Sequence, residues 1–175
     1  MRVLPLLYAA LVLGGCSSVA ERPPLKLAPR VDLQRFMGDW YVIGSIPTAI
    51  EAGAHNAVES YRLEPDGRIA TTFTFRSGGF DGALRRYQPT GFVLEPESNA
   101  VWGMQFIWPV KADYRIVYLA EDYSATVIAR EKRDYAWIMA RTPAIPDALY
   151  RRLLGVLAEQ GYDISLVRKV PQRWK

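Results

Sequence analysis

The chain has 175 residues, of which 50% are apolar and 12% aromatic, a composition typical of one globular domain with a single core. The formal net charge of +4 is too small an excess to indicate nucleic-acid binding. Because Cys16 and His55 are the only residues of their types, an intrachain disulfide and the common zinc and His/Cys catalytic arrangements are excluded. We therefore predict neither a metal nor a cofactor.

Residues 1–15 have the pattern of a secretion signal, in which Arg2 supplies positive charge and a short apolar run follows it. The run is too short to span a bilayer. Its end, Leu13-Gly14-Gly15-Cys16, resembles the lipobox of bacterial lipoproteins, in which the cysteine sulfur receives a diacylglycerol and cleavage makes that cysteine the new N-terminus. In that family, a non-acidic residue such as Ser17 after the cysteine implies sorting to the outer membrane.

Two cleavage sites are open at this N-terminus. Ordinary signal cleavage after Ala20 would discard Cys16, whereas lipidation would retain it. We expect lipidation, because the single cysteine falls at the required place and several acyl chains on it would anchor stably. Residues 16–30 contain three prolines and no apolar periodicity, which predicts a semi-extended tether before a domain at 31–175.

The domain consists of short runs rich in β-branched and aromatic residues, separated by turn signals, as is typical of antiparallel all-β proteins. Tight-turn sequences such as Pro65-Asp66-Gly67 indicate sequential hairpins and up-and-down order. Eight strands in this order can close into a β-barrel whose interior holds side chains or one small ligand. The predicted strands are 39–46, 56–64, 68–76, 83–94, 100–107, 113–120, 124–130 and 135–141.

One amphipathic α-helix is predicted after the last strand, at 148–160, where leucines and a valine recur at helical spacing. Gly161 would end it as a C-terminal cap. Residues 163–170 return to strand-like character, and we expect them to pair on the outside of the barrel.

Several motifs carry a resemblance to a known family. Gly38-Asp39-Trp40-Tyr41 resembles the Gly-x-Trp-Tyr signature of lipocalins, and 135–143 resembles the last barrel strand of bacterial lipocalins and apolipoprotein D. Asp113-Tyr114 and Asp122-Tyr123 fit the same branch. The resemblance extends from residue 31 to about 170, and it implies a lipocalin barrel with a helix packed outside. It also implies that Trp40 closes one end with the Arg141 guanidinium over its indole, a cation–π contact worth roughly 0.5–2 kcal/mol.

Alternate residues of a barrel strand point inward, so each strand's phase predicts the lining. Trp40 places Val42 and Gly44 inward, and Arg141 does the same for Tyr135, Trp137 and Met139. For the other strands we take the phase that matches apolipoprotein D and puts bulky residues inside. The candidate ligand-binding residues are Glu59, Tyr61, Phe73, Phe75, Trp102, Met104, Phe106, Trp137 and Met139. Plain core packing is the alternative for each aromatic among them.

An aromatic, mostly apolar lining suits an acyl chain, because each buried methylene contributes about 0.8 kcal/mol. A 16-carbon tail would gain on the order of 10 kcal/mol before ordering costs. The head group would stay at the mouth, where the candidate donors are His55, Arg76, Arg85 and Arg86. Trp108 and Pro109 fall on a predicted mouth loop. They could serve as a lid, could contact a membrane, or could have neither role.

The sequence thus predicts a protein that stores or transports a fatty acid or lysophospholipid-like lipid at the bacterial outer membrane, on the periplasmic side. Catalysis is disfavoured, because Glu59 has no obvious carboxylate or base partner. The alternative is a structural or partner-binding envelope lipoprotein, with association into a homodimer left open. A barrel filled solid by Trp102, Met104, Phe106 and Trp137 would favour that alternative.

Overall fold

The structure, a computed structural model, describes residues 22–174. Within this range one antiparallel sheet closes on itself through pairing of its first and ninth strands, β1 and β9. The strands are β1 (Gly38–Ile46), β2 (Ala54–Leu63), β3 (Ile69–Ser77), β4 (Leu84–Tyr87), β5 (Thr90–Glu95), β6 (Val101–Ile107), β7 (Val110–Leu119), β8 (Ala125–Ala129), β9 (Ala136–Ala140) and β10 (Arg168–Lys169). The predicted closed eight-stranded up-and-down barrel is confirmed.

The single strand predicted at 83–94 is wrong, since the chain forms two strands there. Both β4 and β5 pair with β3, and Gln88-Pro89 separates them. Proline has no N–H to donate to a sheet ladder, so the pairing breaks at Pro89. The two short strands together occupy one of the eight positions in the barrel.

Helix α2 (Asp147–Glu159) packs on the outside of the barrel and is the predicted C-terminal helix. Its own Leu153 and Leu157 are fully buried against the barrel. Gly161 follows with φ of +82°, the left-handed conformation that ends many helices, and the Tyr162 N–H donates to the Leu157 carbonyl. A 3-10 helix (Ile164–Leu166) comes next, so the strand predicted over 163–170 is shorter: β10 pairs with β1, and the Val170 N–H donates to the Ile43 carbonyl.

A β-bulge in β1 makes the predicted inward orientation of Gly44 wrong. The register with β9 shifts between Val42 and Gly44, so Ile43 is an extra residue. Val42 packs in the barrel interior, whereas Ile43 packs under α2. Gly44 also faces α2, where a Cβ would lie 2.9 Å from the Tyr150 hydroxyl oxygen. The absent side chain therefore lets the helix approach the barrel wall.

A second helix, α1 (Leu33–Phe36), was not predicted, and it closes the bottom of the barrel. The Asp32 carboxylate caps it by accepting from the backbone N–H groups of Gln34 and Arg35. Its last residue, Phe36, is fully buried in the barrel interior. Across residues 22–174, the helices are too short or too polar to cross a membrane.

Candidate ligand-binding site

The closed end of the barrel is held by Trp40 and Arg141. The Arg141 guanidinium lies 3.8 Å from the centroid of the Trp40 indole. It also donates hydrogen bonds of 2.8–3.0 Å to four backbone carbonyls, those of Arg35, Phe36, Met37 and Asp39. The Trp40 Nε1–H donates to the Phe36 carbonyl at 2.8 Å. These bonds fix α1 across the barrel end and satisfy carbonyls that would otherwise lack donors.

An aromatic cluster fills the interior above this plug. Trp102 stacks on Tyr114 with ring centroids 5.2 Å apart, and Phe36 meets Trp102 edge-on at 5.3 Å. Tyr61 contacts the same rings, and its hydroxyl lies 2.7 Å from that of Tyr114. We call this part of the barrel the closed half. Its side chains are packed against one another, and the cavity lies on the other side of them.

The opposite half contains a cavity of about 380 Å³ that opens at the barrel mouth. This volume falls within the range of about 300–1,000 Å³ typical of small-molecule sites. We call this part the open half. Its walls are mainly apolar, and its lining residues are Thr48, Ala49, Ile50, Glu51, Glu59, Thr71, Phe73, Pro89, Met104, Phe106, Ala112, Asp113, Tyr114, Arg130, Tyr135 and Trp137.

The structure divides the nine predicted ligand-binding residues into two groups. Five line the cavity: Glu59, Phe73, Met104, Phe106 and Trp137. The other four are buried away from it: Tyr61, Phe75, Trp102 and Met139. Tyr61 and Trp102 belong to the aromatic cluster of the closed half, and Phe75 stacks under Tyr87 at 6.2 Å. Ligand contact by the nine stays a prediction, and these four positions match the core-packing alternative.

The loop between β1 and β2 folds over the mouth through Glu51, which the sequence prediction missed. The buried Glu51 carboxylate accepts from the Thr48 N–H at 2.7 Å and from its hydroxyl at 2.8 Å. Its other oxygen accepts from the Trp137 Nε1–H at 2.9 Å. Glu51 therefore ties the loop to β9. The Thr48-x-x-Glu51 spacing, that of a capping box, is a signal that could have found it.

Glu59 is the most perturbed acid of the cavity. Burial, followed by the nearby negative charge of Glu51, raises its pKa to about 8, so the carboxyl is mainly protonated at pH 7. The Tyr61 hydroxyl donates to one carboxyl oxygen. The influence of Glu51 on Glu59 was not expected from the sequence, because strand phase does not reveal that the mouth loop turns Glu51 inward.

The basic side chain that lines the cavity is Arg130, at the start of the β8–β9 connection. Its guanidinium lies 5.2 Å from the centroid of the Tyr135 ring, and its Nε is 3.5 Å from Asp134 Oδ1. That Nε is buried without a hydrogen-bond partner. The four donors predicted at the mouth, namely His55, Arg76, Arg85 and Arg86, are not among the lining residues.

An antiparallel barrel plugged at one end, with one apolar cavity open at the other, defines a protein that binds a small hydrophobic molecule. The chain belongs to the lipocalin-like family, whose "Lipocalin-like domain" family model matches residues 31–172. Members of this family are binding and transport proteins, and the chain is accordingly not an enzyme.

Relatives from plants, bacteria and animals share most of the chain. Temperature-induced lipocalin-1 of Arabidopsis thaliana is 30% identical, over 88% of this chain and 86% of its own. The outer membrane lipoprotein Blc of Escherichia coli K12 is 26% identical and covers 94% of both chains. Apolipoprotein D of Macaca fascicularis is 29% identical, over 87% of this chain and 80% of its own.

Solved structures show the same fold at lower identity. Insecticyanin from the tobacco hornworm Manduca sexta has a TM-score of 0.67 and 15% identity, over 87% of this chain and 86% of that chain. The cockroach allergen Per a 4 has a TM-score of 0.65 and 17% identity, over 87% and 96% of the two chains. At such identities the likeness concerns the barrel and not its ligand.

Proposed function

We propose that the cavity holds the acyl chain of a fatty acid or of a lysophospholipid-like lipid, and that the protein stores or transports this lipid at the bacterial outer membrane. The observation that carries the proposal is the cavity itself, a space of about 380 Å³ with mainly apolar walls and one open end. An amphiphile with one long tail suits such a shape, because the tail is buried while the polar end remains in water.

The tail would lie against Phe73, Met104, Phe106 and Ala112, which line the walls. Each methylene taken from water contributes about 0.8 kcal/mol, so the part of the chain that the cavity encloses decides the affinity. Ordering of the tail and loss of its translational freedom offset part of this gain. The acyl tail therefore supplies affinity without a strong contact to the head group.

The acids of the cavity favour insertion with the tail first. The carboxylate of a fatty acid would be repelled by the negative charge of Glu51. Glu59 would not attract it either, because this buried carboxyl is already hard to ionise. Arg130, in contrast, carries a positive charge on the cavity wall, partly offset by Asp134, whose Oδ1 lies 3.5 Å from the Arg130 Nε. We infer that a carboxylate or phosphate head group lies nearer to Arg130 than to Glu59.

Two observations support a proposed location. Cys16, outside the described residues, ends a lipobox-like sequence, and relatives from Escherichia coli, Citrobacter freundii and Vibrio cholerae are named outer membrane lipoproteins. We propose that the lipidated Cys16 anchors the protein to the outer membrane on the periplasmic side. Residues 1–15 would then be the signal peptide, and within the tether predicted at 16–30 Leu25 and Ala28 are buried against the barrel. Metabolic labelling with radioactive palmitate, lost in Cys16→Ala, tests this anchor.

A barrel filled solid by side chains would favour the structural-lipoprotein alternative. Met104, Phe106 and Trp137 instead border the cavity, and of the four residues only Trp102 lies in the packed closed half. Space for a ligand therefore supports the binding function. Association into a homodimer stays a prediction.

The test uses two neighbouring positions of β7 that face opposite sides of the barrel wall. Ala112 lines the cavity, whereas Lys111 is exposed and its Nζ lies 3.8 Å from the Phe92 ring centroid outside the cavity. Native mass spectrometry of delipidated, refolded protein should show one bound palmitate per chain. Ala112→Trp should weaken binding about tenfold or more, equivalent to at least ~1.4 kcal/mol, while Lys111→Trp leaves it unchanged. Absence of binding below millimolar palmitate, or equal binding by both variants, contradicts the proposal.

A further inference from the structure

Exposed apolar side chains are concentrated at the open end of the barrel. Among residues 22–174, six of the ten large hydrophobic side chains that are exposed lie at this end: Ile50, Leu84, Phe106, Ile107, Trp108 and Val110. Of the other four, Ile164 and Leu166 lie on the outer wall just before β10, and Leu94 and Trp174 lie on other parts of the surface. Single exposed apolar residues are common, but a contiguous group of them indicates a contact surface.

The tip of the β6–β7 hairpin is the most exposed part of this group. Ile107, Trp108 and Val110 are 77%, 82% and 67% exposed, and Pro109 completes the turn. The tip continues directly into the cavity, because the preceding residue, Phe106, is a lining residue. A tryptophan beside aliphatic residues is typical of side chains that sit at the interface of a lipid bilayer.

The N-terminal segment leaves the barrel at this same end. It runs up the outside wall, with the Val31 N–H bonded to the Ser98 carbonyl near the closed end and the Ala28 N–H bonded to the Ile116 carbonyl. It then reaches the β8–β9 connection at the mouth, where the Pro23 carbonyl accepts from Arg133 Nη2 at 2.6 Å. The described chain therefore begins beside the open end and not beside the plug.

This path limits where an anchor can be. Cys16 precedes Arg22 by six residues, and six extended residues reach at most about 20 Å. A membrane attached at Cys16 would consequently lie near the mouth of the barrel.

The charge at this end also suits a bilayer with anionic lipids. The exposed cations there include Arg85, Arg86, Lys111 and Lys132. The exposed Asp81 lies 3.8 Å from Arg173 and is thus partly neutralised. Lysine and arginine beside an apolar tip can reach lipid phosphates while their stems stay in the interface.

We propose that the mouth of the barrel docks on the surface of a lipid bilayer, with the β6–β7 tip inserted at the level of the head groups. The lipid ligand then passes between membrane and cavity without crossing water. The orientation rests on the anchor of the proposed function, whereas the apolar tip and the rim cations are independent of it.

Quenching of tryptophan fluorescence tests the docking. The lipidated protein is purified from membranes and placed in vesicles of phosphatidylethanolamine and phosphatidylglycerol with brominated acyl chains. We expect quenching, and Trp108→Phe should remove the larger part of it. Trp174→Phe is the matched control, because Trp174 is also exposed but packs against Tyr41 on the barrel side, with ring centroids 5.3 Å apart. This control should leave the quenching unchanged.

A transfer measurement gives the second readout. Trp108→Glu should slow the uptake of a fluorescent fatty acid from vesicles about tenfold while leaving equilibrium affinity for the same fatty acid unchanged, and Trp174→Glu should change neither. Unchanged quenching in Trp108→Phe overturns the docking. So does a Trp108 emission that shifts with protein concentration without vesicles, since that indicates a second copy on the patch. Palmitate binding by the same samples, followed by native mass spectrometry, tests the proposed function separately, so docking can fail while binding stands.

Discussion

Trp102 and Phe106 lie on the same strand, yet Trp102 is fully buried in the closed half and Phe106 is exposed at the cavity. On β9, Met139 is fully buried, whereas Trp137 lines the cavity. The two halves therefore share strands and composition. They differ in what covers them, because α1 and Arg141 seal one end while a single loop held by Glu51 partly covers the other. The closed half should thus govern stability, and the open half should govern binding.

The largest expected effect is a truncation in the closed half. Trp102→Ala removes a fully buried ring that stacks on Tyr114, so it should lower the free energy of unfolding by about 3–5 kcal/mol. Under conditions in which the variant is folded, its affinity for palmitate should equal that of the parent. Urea denaturation and a ligand titration measure the two quantities. A variant that unfolds like the parent but no longer binds would reverse the roles of the two halves.

The second prediction concerns pH and uses Glu59. The unfolded chain loses this proton near pH 4.5, while the folded protein keeps it until about pH 8. The stability that Glu59 contributes is therefore fully present below pH 4.5 and is lost as pH rises from 4.5 to 8, at about 1.4 kcal/mol per pH unit. Glu59→Gln cannot ionise and should lack this slope.

Unfolding by urea at several pH values measures this difference. The stability of Glu59→Gln relative to the parent should increase by a few kcal/mol between pH 5 and 8. Glu64→Gln is the control, because Glu64 is on the barrel surface, where it pairs with Arg62. Parallel pH profiles for the parent and Glu59→Gln would show that the folded protein does not hold this proton.

Arg141→Lys should have a smaller effect at the closed end. Lysine keeps the positive charge but cannot reach four carbonyls while covering the Trp40 ring. We expect the free energy of unfolding to fall by about 1–3 kcal/mol, because several charge-assisted hydrogen bonds to the carbonyls of α1 and β1 are lost. Arg152→Lys, on the exposed side of α2, is the control. Equal stability of the two variants would mean that Arg141 acts as a charge alone.

The smallest effect on stability is expected in the open half. Met104→Ala enlarges a space that already exists, so it should lower the free energy of unfolding by about 1–2 kcal/mol. This loss is at or below the low end of the range usual for truncating a buried methionine. It should weaken palmitate binding several-fold, because the tail loses apolar contact. Thermal unfolding and titration together measure both. A larger loss of stability than in Trp102→Ala would contradict the division of the barrel.

The barrel was predictable because its motifs set the phase of two strands. Trp40 and Arg141 fix which residues point inward in β9 and in β1 as far as Val42, and short apolar runs between turns indicate the other strands. Local deviations were not predictable. The bulge at Ile43 depends on pairing with β9, and α1 is one turn long with Asp32 as its main signal. The break at Pro89 had a visible cause, since a proline interrupts the ladder.

The candidate site was predictable in its position but not in its extent. Strand phase shows that Tyr61 and Phe73 both point inward, yet only Phe73 borders the cavity. The difference arises from how Tyr61 packs with Phe36 and Tyr114, which depends on rotamers and on a plug that strand phase does not contain. Glu51 and Arg130 lie outside the strands, so alternation could not place them in the site.

Fluorescence of Trp137 offers the most direct test of the claim that the open half holds an acyl chain. Delipidated protein is titrated with a fatty acid brominated along its tail. The quenching should saturate at one equivalent, disappear in Trp137→Phe, and persist in Trp102→Phe, because Trp102 lies beyond the cavity in the closed half. The absence of quenching would contradict the claim that the open half holds an acyl chain. Quenching that is lost in Trp102→Phe and kept in Trp137→Phe would contradict it equally.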